Sequence, residues 1–156
     1  MHVKIIQLHF KTFLLSFIIP LILASCSVRL IGAYDQVTDE SIQQIQNEIS
    51  TLIVKIERNI DNKTFDENKY DNFKTSYENI FGEIESLKIR CSAIPDYKLV
   101  LDQVELLKLN IRNLESLHKL GFSTKEQITP VKSALEIQFV AMIKLQNALK
   151  REKQTK

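Results

Sequence analysis

Glu115 and His118 make a Glu-x-x-His pair, half of the ligand set that carboxylate-bridged di-iron centres draw from helical bundles. That chemistry needs a second such pair and two further carboxylates facing it. His2 and His9 lie in the hydrophobic leader, so one chain cannot complete the centre. His118 therefore reads as a histidine in the apolar seam of a helix, near the C-terminal end where the dipole favours it. Asp35, Asp39 and Glu40 could gather around calcium, but their spacing is not that of an EF-hand loop and the required turn glycine is missing. Capping and solvation account for them. No G-x-S-x-G elbow is present, Cys91 falls within an apolar seam, and no glycine-rich loop precedes a helix. The expectation is a protein with no catalytic residues, no metal and no cofactor, and not an enzyme. Tyr34, Tyr70, Phe73 and Tyr77 could line a ligand slot, although core packing is the commoner use of an aromatic stripe. Lys150, Arg151, Lys153 and Lys156 could meet anionic lipid head groups, or simply answer the dipole at the end of a helix.

The remaining chemistry belongs to Cys26. Lys4 and Lys11 precede an apolar run over residues 13–24, and Leu23-Ala24-Ser25-Cys26 closes it with two small residues and a thiol. This is the order of a secretory signal: basic start, apolar middle, small-residue cleavage site. The run is short of the ~20 residues that a retained membrane span requires. Leu23-Ala24-Ser25-Cys26 resembles the lipobox of bacterial lipoproteins. The resemblance implies cleavage between Ser25 and Cys26, a diacylglycerol thioether on Cys26 and a further acyl chain on its amine. Three buried chains are worth on the order of 30 kcal/mol, enough to hold a protein in its leaflet. The same resemblance, with Ser27 rather than Asp after the cysteine, implies sorting to the outer membrane, on either its periplasmic or its outer face.

Cleavage before Cys26 leaves 131 residues, enough for one domain with a real core. Lys4 and Lys11 leave with the signal, so 19 Lys and Arg then balance 19 Asp and Glu. That neutrality offers no basic surface for nucleic acid. With Cys26 occupied by lipid, Cys91 has no intramolecular disulfide partner and reads as a small buried apolar residue.

Residues 26–37 form a membrane-proximal tether that is too apolar for a free linker. Within and after it, Gly32-Ala33-Tyr34-Asp35, Thr38-Asp39 and Ile42, Ile45 and Gln46 resemble a set of small bacterial lipoproteins over roughly residues 31–57. That resemblance implies a class and no activity.

Helical periodicity fills the rest. A first helix is expected over about 39–60, capped by Thr38, with Val37 and Ile42 as a hydrophobic staple and Ile42, Ile45, Ile49, Leu52 and Ile56 as its stripe. A second starts from a Thr64-x-x-Glu67 capping box. It carries Tyr70, Phe73, Tyr77, Ile80, Ile84, Leu87, Cys91 and Ile94 at alternating threes and fours, with Phe81 widening the stripe, until Pro95-Asp96 ends it. A third, over about 95–120, has Val100, Val104, Leu107, Ile111 and Leu114 on one face. Further leucines around it (Leu99, Leu101, Leu106, Leu109, Leu117, Leu120) predict cover on more than one side. After Gly121, a box at Ser123-x-x-Glu126 or the pair Thr129-Pro130 leads into a fourth helix over about 130–151.

Short connections favour antiparallel neighbours. The predicted fold is therefore an all-α, up-and-down bundle of about four helices over 38–156, behind a cleaved signal peptide, 1–25. The expected role is a lipid-anchored envelope protein, structural or binding another envelope protein. One alternative is a carrier or sensor of a small apolar ligand held within the bundle. A second is a lipoprotein linked to peptidoglycan through Lys156, although Pro95 and Gly121 interrupt the long heptad helix that reading calls for.

Overall fold

Asp35 accepts a hydrogen bond from the Thr38 amide at 2.9 Å and so caps the first helix, α1, Gln36–Asp61. The computed structural model describes residues 32–154, all within one compact unit, 31–156. Three more helices follow: α2, Lys74–Ala93; α3, Lys98–Leu120; and α4, Thr129–Gln154. No strand occurs among the described residues. Each helix packs on the next in sequence, and α4 closes the ring against α1. The described residues form an antiparallel, up-and-down four-helix bundle.

Its core is built from the stripes read from periodicity on the first three helices and from the inward face of the fourth. Ile42, Ile45, Ile49, Leu52 and Ile56 of α1 face Tyr77, Ile80, Ile84, Leu87 and Cys91 of α2, and all ten are buried. Val100, Val104, Leu107, Ile111 and Leu114 of α3, with Leu135, Phe139, Met142 and Leu149 of α4, complete it. Between the stripes, Lys108 and Lys88 pair with Glu85, Lys88 also reaches Glu105, and Lys132 reaches Glu57. These pairs seal α2 against α3 and α1 against α4 with side chains whose stems also cover apolar surface.

Several local expectations are corrected. The cap of α1 is Asp35, not Thr38, because Thr38 is itself buried and donates its hydroxyl to Asp35 at 2.8 Å. Val37 is 45% exposed, so it forms no staple. Thr64 opens no helix. Its hydroxyl turns back to the Asn59 carbonyl, Lys63 adopts φ +58°, and the chain passes through a 3-10 turn, Tyr70–Asn72, before α2 begins at Lys74. Asn72 competes for this backbone by donating to the Asp66 and Glu67 carbonyls, which accounts for the late start. The capping box before α4 lies one residue later than expected, on Thr124 and Gln127. The outer leucines of α3 are covered only in part: Leu101 and Leu117 pack against the core, whereas Leu99, Leu106, Leu109 and Leu120 are exposed.

Candidate functional site

His118 lies in the last turn of α3 and is 1% exposed. Its Nε2 sits 2.8 Å from the Asn68 carbonyl oxygen, a group that only accepts, so Nε2 carries the proton. Nδ1 is then the acceptor for the Tyr77 hydroxyl at 3.0 Å. The rings of Tyr70, Phe73, Tyr77 and Phe122 surround the imidazole at centroid distances of 4.8–6.3 Å. Burial pushes the His118 pKa below its ordinary value, against the opposing pull of the Asn68 carbonyl. The same burial raises the Tyr77 phenol far above its ordinary range.

The Glu115–His118 pair does not act as a ligand set. Glu115 Oε1 accepts from the Tyr70 hydroxyl at 2.7 Å and pairs with Lys119 at 2.8 Å, while both imidazole nitrogens are spent on Asn68 and Tyr77. Among the described residues no group of three or more histidine, cysteine or acidic side chains is placed to hold a metal. Cys91 is 1% exposed and burial raises its thiol pKa, which disfavours the thiolate.

The acidic trio near the start of α1 is likewise divided among separate tasks. Asp35 holds Arg90 through two bonds of 2.6 and 2.7 Å, Asp39 accepts from Tyr34 and Gln43, and Glu40 accepts from Gln36. Tyr34 does not join Tyr70, Phe73 and Tyr77 in one slot. It precedes α1, whose 26 residues span roughly 40 Å, whereas Phe73 lies against Lys55 in the C-terminal half of that helix, with Tyr70 and Tyr77 beside His118. Phe73 and Tyr77 are 0% exposed and fill the core. Surface clefts flank α1 on both sides. One, of about 230 Å³, lies against α2 beside Asn47, Thr51, Ser76 and Asn79; the other, of about 200 Å³, lies against α4 beside Ile53, Val54, Leu135 and Phe139.

The Tyr34 end is built closely. The Gly32 amide donates to the Asp96 carbonyl at 2.8 Å, and a Cβ on Gly32 would lie 2.6 Å from Tyr97 Cδ2 and 2.7 Å from the Pro95 oxygen. Only glycine permits that approach. Lys150 and Lys153 of α4 each place Nζ 5.6 Å from the centre of the Tyr34 ring, so the basic end of α4 returns beside the start of α1. Arg151 shares that exposed last turn, while Ser25, Cys26 and Lys156 lie outside the described residues.

No protein-family model, curated protein or solved structure matches this chain. The arrangement of its own residues is what bears on function. Both polar clusters brace the ends of the bundle, and neither offers an open nucleophile or a free imidazole nitrogen. The Asp35–Arg90 pair and the Gly32 clamp were not foreseen from sequence. The compact run Gly32-Ala33-Tyr34-Asp35 just before an amphipathic helix signals an entry and cap, whereas nothing local points to Arg90.

Proposed function

We propose that this chain is a lipid-anchored protein of the bacterial cell envelope, held by acyl chains on Cys26. Its bundle acts by binding or bracing another envelope component rather than by catalysis. Leu23-Ala24-Ser25-Cys26, placed after a basic and then apolar leader, is the observation that carries the reading. Ser27 favours the outer membrane as the destination.

The geometry of the Tyr34 end supports it. Gly32 is clamped against Asp96 and Tyr97, and Cys26 lies six residues earlier, a reach of about 20 Å even when fully extended. Lys150 and Lys153 are at the same end, where each charge near an anionic leaflet gains ~1 kcal/mol. The carrier reading draws less support, because Phe73 and Tyr77 are filled core positions. The peptidoglycan-linked reading also draws less, since α4 runs back toward the Tyr34 end.

Metabolic labelling with a fatty acid tests the anchor. Wild-type protein should take up label, and Cys26→Ser should remain an unlabelled, uncut precursor that still folds. Undiminished label on the variant would overturn the reading. Pull-down after detergent solubilisation tests the module: a stoichiometric envelope protein is expected, and a co-purified small apolar ligand with no protein partner would favour the carrier.

A further inference from the structure

We infer that His118 is an acid-sensitive latch, closing the 62–73 connection onto the end of α3 when neutral and releasing it when protonated. The inference rests on the way three chain segments meet at one ring. His118 Nε2 donates to the Asn68 carbonyl of the connection, and the Asn68 side-chain amide in turn donates to the Phe122 carbonyl at 3.4 Å. Nδ1 accepts from Tyr77 on α2. A further hydrogen bond between the connection and α3 runs from the Tyr70 hydroxyl to Glu115, and Lys119 stands over the Tyr70 ring. Among the described residues Asn68 Oδ1 is buried with no hydrogen-bond partner.

Protonation attacks the latch at a defined atom. The added proton goes to Nδ1, the nitrogen that accepts from Tyr77, and places N–H against O–H. The phenol must turn its hydrogen away, and the new positive charge sits inside a ring of Tyr70, Phe73, Tyr77 and Phe122. The charged groups around it do not compensate. Lys55 of α1 stands over Phe73, and Lys119 of α3 stands over Tyr70, both adding positive charge. Glu115 is the near acid, but Lys119 and Tyr70 already share its Oε1. Lys69 and Asp71 line the cleft outside the ring, and Lys69 is paired with Asp66 at 2.7 Å. From the 121–128 segment the ring meets Phe122, which is neutral.

The direction follows from linkage. A histidine that is harder to protonate when closed than when open favours opening as pH falls below the ordinary imidazole value near 6.5. The ring sits beside a cleft already open along Tyr70, Lys119 and Gly121, so the connection has room to move outward and expose Phe73 and Phe122.

Hydrogen–deuterium exchange on the full-length protein in detergent, corrected for intrinsic rates, reads the latch. Between pH 7.5 and 5.0, amides of residues 64–73 should lose protection by on the order of tenfold, while those of 100–114 hold theirs. His118→Gln retains a donor and an acceptor without titrating, and should abolish the pH response. Equal pH dependence in His118→Gln, or unchanged protection in the wild type, overturns the inference. If that variant does not fold, histidine NMR of the wild type decides. Loss of protection must track protonation of His118, and a ring that stays neutral while 64–73 open, or titrates while they stay closed, refutes the latch.

Discussion

Arg90, in the last turn of α2, grips Asp35 at the mouth of α1 through two parallel hydrogen bonds of 2.6 and 2.7 Å. The same carboxylate accepts the amide and hydroxyl of Thr38, so one side chain both caps a helix and ties it to its neighbour. Arg90 and these donors hold the Asp35 pKa far below the usual carboxylate range. A carboxylate lowered in this way contributes stability above its unfolded pKa and loses it as pH falls. Asp35→Asn should cost about 1–2 kcal/mol at neutral pH through the weakened cap and pair. It should also remove the part of the stability slope that the wild type shows below about pH 4. Denaturant melts of both proteins across that range check it, and parallel slopes would refute the assignment.

The described glycines should respond to alanine with different signs. Gly32→Ala forces a Cβ into the Tyr97 ring and the fixed Pro95 carbonyl, and should cost about 1–3 kcal/mol. Gly121→Ala has space but meets φ +89°, and should lose a similar amount through backbone strain. Gly82 lies on the exposed face of α2 with nothing within 4 Å of a new Cβ, so Gly82→Ala should gain about 0.5–1 kcal/mol. Three thermal melts give the ordering directly.

Ile84→Asp should unfold the bundle, because an unpaired charge at a 0% exposed position costs several kcal/mol against a total of ~5–15. Glu85→Lys, one residue along, loses its surface pairs with Lys88 and Lys108 and should cost no more than about 1 kcal/mol. The same register keeps Cys91 unlabelled by thiol reagents in the native state. Equal melting temperatures for the two variants would show that the seam is misplaced.

Tyr77→Phe leaves His118 Nδ1 without its donor inside the core, and should destabilise by about 1–3 kcal/mol with little change in helix content. Far-ultraviolet circular dichroism with urea titration separates the two effects. A variant as stable as the wild type would mean that the hydroxyl bond carries no net weight.

The sequence by itself determined the helices and their inward faces. A stripe such as Ile42, Ile45, Ile49, Leu52 and Ile56 has one low-energy use, and water enforces it whatever the neighbours are. The antiparallel order follows from the same source, because short connections allow little else. Where each helix starts was less legible. Thr64 and Glu67 satisfy a capping pattern, yet Asn72 takes the same backbone into a turn, and two local motifs of comparable energy cannot be ranked without the packing of Phe73. The polar partnerships belonged to the tertiary structure alone. Asp35 and Arg90 are 55 residues apart and Tyr77 and His118 are 41 apart, and no local periodicity links them. Burial of apolar stripes is non-directional and readable along the chain, whereas a hydrogen bond needs two atoms within about 3 Å, a condition set only when the helices have packed.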